Sequence, residues 1–178
     1  MIGSFVTRAH FERSRKNFER FLEVITITLM VGLAGIVIIA VGFRWAGSSL
    51  AWYDEVASIM LAWLTYYGAA LAALKRAHIG VPGLINAMQP RLRVVMVLVA
   101  ETIVIGFFVL LGWVGYEVLL VIEGETLISL PEVSAQFSQS VIPIGSALFV
   151  IAQVLTLPEM LEEARRGIAH APTEGVEP

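Results

Sequence analysis

The chain has 178 residues, 57% of them hydrophobic and only 15% charged, with a formal net charge of −3 and a mean hydropathy of +0.80. This balance lies far from that of a soluble domain. With no cysteine, disulfides, thiolate catalysis and Cys-based metal sites are excluded.

The charges gather between four apolar runs. Ahead of the first run, Phe11, Phe18, Phe21, Leu22 and Ile25 recur at helical spacing among Arg, Lys and Glu. This pattern predicts a short amphipathic helix over 5–20, lying on the membrane surface. Residues 24–43 (VITITLMVGLAGIVIIAVGF) then carry no charge and predict a first membrane span over 22–43. The run exceeds the h-region of a signal peptide, and Ala46-Gly47-Ser48 is a weak cleavage sequence, so it is read as a retained helix.

Residues 56–74 are again uncharged and predict a second span over 55–75. Val81, Leu84, Ile85, Met88 and Leu92 follow at i, i+3, i+4, i+7 and i+11, opened by Pro82 and interrupted at Pro90. They predict a second interfacial helix over 82–90. Residues 94–116 hold one charge, Glu101, and predict a span over 93–120. Residues 137–157 hold none and predict the last span over 138–158, with Pro143 and Gly145 placed to kink it. The tail over 169–178 is polar and reads as disordered. Each run approaches the roughly 20 residues that, at 1.5 Å per residue, cross a hydrocarbon core of about 30 Å. The expected fold class is therefore an all-α integral membrane protein: one domain over 1–178 with four transmembrane helices and short interfacial helices.

Eleven of the twelve Lys and Arg residues fall ahead of the first span, between the second and third, or after the fourth; only Arg44 lies on the other side. The positive-inside rule makes the basic side cytoplasmic, with both termini there. Asp54, Glu55, Glu117, Glu123, Glu125 and Glu132 fall on the opposite side with Trp45, Trp52, Tyr53, Trp113 and Tyr116, an aromatic belt at the outer interface. Lys75 and Arg76 close the second span at the basic surface, where they complement its C-terminal dipole.

An ionisable residue at membrane depth is a functional candidate, and Glu101 is the one such residue in the four runs. Thr26, Thr28, Tyr66, Tyr67 and Gln153 are predicted at similar depth and could form a hydrogen-bonded layer with it. Glu101 is then either a proton or cation site, or a buried acid that locks helices; with no second membrane charge to couple to, the structural reading is preferred. His10, His78 and His170 all fall outside the spans, so haem ligation within the bundle is not expected. No HExxH, GxSxG or phosphate-binding glycine loop occurs. No catalytic, cofactor or metal site is predicted, and an enzyme is not expected. Matched discontinuous helices in two halves, the usual pointer to a midplane substrate site, are missing.

The segment YDEVASIMLAWLTYYGAALAALKRAHIGVPGLINAMQPRLR, residues 53–93, resembles the signature of the small membrane subunit of TRAP (tripartite ATP-independent periplasmic) transporters, DctQ type. The matching positions are Glu55, Trp63, Gly68, Ala69, Arg76, His78, Ile79, Val81, Pro90 and Arg91. Pro82 and Gln89 depart from the family pattern, which often has Asp and Leu at those places. The resemblance implies a small permease subunit in the bacterial inner membrane. Its partners would be a large elevator-type membrane subunit of DctM type, which carries the substrate and sodium sites, and a periplasmic binding protein that delivers an organic acid. Membrane lipids are the other expected contact, and nucleic acid is not. Glu55, Trp63, Gly68, Arg76 and His78 would then mark a partner interface, with His78 shaping an elbow after the second span. The alternatives are a self-contained small oligomeric transporter or channel using Glu101, and a membrane assembly factor.

Overall fold

The computed structural model describes residues 2–76 and 89–166. They form helices α1 (Ile2–Trp45), α2 (Tyr53–Leu74), α3 (Pro90–Val121), α4 (Ala135–Gln139) and α5 (Val141–Arg166). Four stretches are long and apolar enough to cross a membrane: Arg15–Trp45, Tyr53–Leu74, Arg91–Val121 and Ala135–Arg166. The fold is all-α, as expected, and the described residues outside the helices contain one isolated bridge, between Thr126 and Ser134.

Helix ends follow local chemistry. Gly47, at φ +78, closes α1 in a Schellman motif, with Ser48 N–H donating to Phe43 O at 3.0 Å and Gly47 N–H to Arg44 O at 3.1 Å. Asp54 and Glu55 sit in the first turn of α2, where negative charge suits the helix dipole. Pro90 opens α3, a position that has no intrahelical N–H to lose. Ser134 caps α4 by accepting from Gln136 N–H at 3.1 Å.

Two boundaries differ from the sequence reading. The expected surface helix over 5–20 and the first span are one uninterrupted helix, since no glycine or proline separates residues 4–31. Within it Leu22 is fully buried, and Phe18 and Ile25 pack beside it on α2, so these residues face protein while Phe21 remains exposed. The last helix also runs past Pro158 to Arg166, rather than ending there. An interior proline costs a helix on the order of 3 kcal/mol, and two acids in the following turns, Glu159 and Glu163, make cross-helix ion pairs that hold the continuation in place. The expected interfacial helix over 82–90 falls almost wholly outside the described residues, as does the tail over 169–178.

The helices pack as a succession rather than a closed bundle. α1 packs chiefly on α2, α2 on α5, and α5 on α3. The last described helix is therefore the central one: 39% of the 18-residue apolar window of its span is buried inside the protein, against 6% for the corresponding windows of α1 and α3. α3 and α5 run antiparallel, and their register can be followed pair by pair. Gly115 meets Ile142, Gly112 meets Ser146, Phe108 stacks on Phe149 with ring centroids 3.6 Å apart, and Glu101 meets Gln153. Glycine is required at two crossings. A Cβ on Gly115 would lie 2.6 Å from Ile142 Cγ2, and one on Gly145 would lie 2.6 Å from Tyr66 Cβ.

Candidate functional site

Three groups of polar contacts hold the helices, one at each end and one within. At the end where α2 begins, Glu55 reaches the loop after α3: its carboxylate accepts the N–H of Ser129 at 2.7 Å and of Ile128 at 3.1 Å. One more hydrogen bond from that loop, Ser129 Oγ to Ala51 O at 3.4 Å, runs back to the α1–α2 turn. Two turns deeper, Trp63 Nε1 donates to Ser138 O at 3.1 Å, a carbonyl beside the break between α4 and α5. Its ring lies against Phe137 and Tyr67. Gln136 Nε2 donates to Leu119 O at 2.9 Å and satisfies a carbonyl near the end of α3. Glu55 and Trp63 thus tie α2 to the connection between α3 and α5.

At the basic end, Arg76 donates twice to Glu163 on α5, Nη1 to Oε1 at 2.5 Å and Nη2 to Oε2 at 2.6 Å. The planar guanidinium matches a carboxylate in this way, and lysine could not. Arg15 on α1 pairs with Glu159 on α5 and also donates to Leu74 O, at the end of α2. Lys75 pairs with Glu23 and, at 3.6 Å, with Glu19. α1, α2 and α5 are clamped together here.

The contact with Glu163 holds the Arg76 guanidinium above its ordinary value, and Glu23 does the same for the Lys75 ammonium. Raised folded values mean that this stabilisation is fully present below the ordinary lysine range and is lost only as the pH rises through the raised ones. The cations therefore give no pH dependence near neutrality.

Arg76 also has φ +54, in the left-handed region that favours glycine. Two substitutions there separate side chain from backbone. Arg76→Ala loses the clamp and keeps the strain, whereas Arg76→Gly loses the clamp and relieves it. Both should lower stability by about 1–3 kcal/mol, with Arg76→Gly the milder by about 1 kcal/mol. Thermal unfolding of the purified chain checks the order.

Within the span, Glu101 and Gln153 are buried, and Gln153 Nε2 donates to Glu101 Oε2 at 2.6 Å. The expected polar layer extends no further among the described residues. Thr26 lies on α1 with its hydroxyl buried and unpartnered. Thr28 is exposed and donates to Val24 O on its own helix. Tyr66 packs on Gly145 and Tyr67 against Trp63. Two of the six residues therefore meet: Thr26 and Thr28 are kept apart because α1 does not share a principal interface with α3 or α5, and the tyrosines of α2 pack on Gly145 and Trp63 instead. Thr156, fully buried on α5, donates to Ala152 O and Gln153 O.

Of the motif positions, Glu55, Trp63 and both Nη atoms of Arg76 meet other parts of the same chain, while Arg76 Nε is buried without a partner among the described residues. Gly68 has open space where a Cβ would stand, and His78 lies outside the described residues. Glu159 and Glu163 were not among the predicted residues. Their i, i+4 spacing opposite a basic helix end was the signal available. Among the described residues no group of three His, Cys, Asp or Glu is placed to hold a metal ion.

The sequence pattern of the DctQ component of tripartite ATP-independent periplasmic transporters matches residues 33–163. The chain belongs to that family. DctQ proteins are transporter components, so this is a small permease subunit of the inner membrane. None of the curated proteins compared matches it. The matched DctQ region contains both partners of the Arg76–Glu163 and Glu101–Gln153 contacts, while Arg15, Glu19 and Glu23 lie before it.

Proposed function

We propose that this subunit is the static scaffold of its transporter. It would hold a large, elevator-type membrane subunit of DctM type in place during ion-gradient-driven uptake of an organic acid, supplied by a periplasmic binding protein. The observation that carries the reading is the packing order. An open succession of helices leaves α1 and α3 with broad apolar surfaces, while polar contacts at both ends hold the succession rigid. Surfaces that are wide and fixed suit a support better than a moving part.

Glu55, Trp63 and Arg76 then act on the partner indirectly, by shaping the surface it meets. Among the described motif positions, Gly68 offers direct close approach. The alternative, transport by this chain alone through Glu101, gains nothing from the geometry, since that carboxylate is buried against Gln153.

Reconstitution tests the scaffold. The purified chain alone in vesicles should give no uptake, and the same chain with its large subunit and binding protein should give saturable uptake that collapses with the ion gradient. Saturable, gradient-driven uptake by the isolated chain would sink the proposal.

Orientation is part of the same reading: the 44–54 and 117–136 segments face the periplasm and the 75–93 segment the cytoplasm. Because the chain has no cysteine, Ser48→Cys, Ser129→Cys and Asn86→Cys can be probed singly in intact spheroplasts with an impermeant thiol reagent. The first two should label and the third should not; the opposite pattern would invert the topology.

A further inference from the structure

Cations at the basic end divide into two sets. Arg15, Lys75, Arg76 and Arg166 each face a carboxylate. Lys16 and Arg20 are exposed on α1 and meet no carboxylate or acceptor among the described residues. They stand at i and i+4, side by side on one face. At 100° per residue, that face continues through Val24, Ile27 and Val31, each more than half exposed. It lies opposite the face on which Leu22, Ile25 and Leu29 pack inward.

We infer that this outer face of α1 is a binding surface for an anionic phospholipid of the leaflet at the basic end, with the phosphate between Lys16 and Arg20 and an acyl chain along Val24, Ile27 and Val31. Three features fit that occupant. Among the described cations of α1, Lys16 and Arg20 are the ones that meet no protein partner, and long basic side chains at a span's end reach the headgroup level while their stems lie along hydrocarbon. From Arg20 to Val31 the helix rises about 16 Å, half of a hydrocarbon core of about 30 Å, which is the depth of one leaflet. The stripe above the cations is branched and aliphatic. The one hydroxyl beside it, on Thr28, already donates to Val24 O at 2.7 Å and requires no partner. A phosphate supplies what the cations lack, and a hydrocarbon chain supplies what the stripe lacks. The inference does not depend on the scaffold reading.

The test uses the full chain, delipidated in an uncharged detergent and titrated with phosphatidylglycerol or phosphatidylcholine of identical acyl chains, with bound lipid read by native mass spectrometry. Phosphatidylglycerol should bind about ten- to thirty-fold more tightly than phosphatidylcholine. K16Q/R20Q should abolish that difference, and K16R/R20K should keep it. Since neither side chain has a partner among the described residues, lipid-free K16Q/R20Q should melt at the wild-type temperature, which separates loss of a site from loss of the fold. A preference that survives K16Q/R20Q would overturn the inference. So would an equal loss in R91Q, whose exposed arginine lies on α3. Unchanged lipid binding together with reduced co-purification of the large subunit would assign the face to that protein instead.

Discussion

Gly145→Ala is expected to destabilise the purified chain by about 1–3 kcal/mol, although alanine is the better helix former. The added Cβ would stand 2.6 Å from Tyr66 Cβ and 2.9 Å from Tyr66 Cδ1. The first contact is with the root of a side chain, so rotation of the tyrosine cannot remove it; α2 and α5 must move apart. That crossing lies in the middle of the helix succession, where separation also loosens Val141, Ala152 and Tyr67 in the core. Gly106→Ala is the control. Apart from its chain neighbours and the nearby backbone of its own helix, no atom lies within 4 Å of its would-be Cβ, and the lower flexibility of alanine should leave stability unchanged or raise it by up to about 1 kcal/mol. Unfolding both variants in detergent measures the difference. Equal stability of Gly145→Ala and wild type would show that α2 and α5 do not approach this closely.

Glu101→Leu should cost about 1–3 kcal/mol, because it leaves Gln153 Nε2 buried without an acceptor. Gln153 Oε1 already lacks a partner in the protein, so the substitution would strand both ends of one amide between α3 and α5. Melting temperature and co-purification with the large subunit should both fall. Glu101→Gln retains the shape and an oxygen that accepts from Gln153 Nε2, and a membrane hydrogen bond of this kind is worth roughly 0.6–2 kcal/mol. The Glu101→Gln complex should therefore assemble and transport nearly as wild type does. Intact assembly with abolished uptake in Glu101→Gln would make Glu101 a charge-carrying residue and end the structural assignment.

The four spans were legible because their apolar runs are long and nearly uncharged, and length with hydropathy is enough to place a membrane helix. The family was legible from a segment of about forty residues on α2 and just beyond it. The partners of its motif residues were less so. Glu55 holds Ser129 and Arg76 holds Glu163, across separations of 74 and 87 residues, and no local pattern encodes which distant group a side chain meets. Depth proved a poor guide to proximity. Thr26, Thr28 and Glu101 could be set at one level from helix lengths, but lateral order decides contact, and α1 packs chiefly on α2. The helix beyond Pro158 was misjudged for a related reason: local propensity marks a break there, whereas ion pairs to α1 and α2 carry the helix onward.

The position of α5 has a consequence for biosynthesis. During synthesis α1 and α2 emerge first and can pair at once, whereas α3 enters the bilayer before the helix it packs on has been made. Until residues 149, 153 and 163 have left the ribosome, Phe108 has no Phe149 to stack on, Glu101 has no Gln153, and Arg76 has no Glu163. A nascent chain is thus left with a carboxyl group in hydrocarbon and an unpaired arginine at its edge, and both are resolved together by insertion of the last helix. Arrested or C-terminally truncated chains would keep both polar groups unpaired.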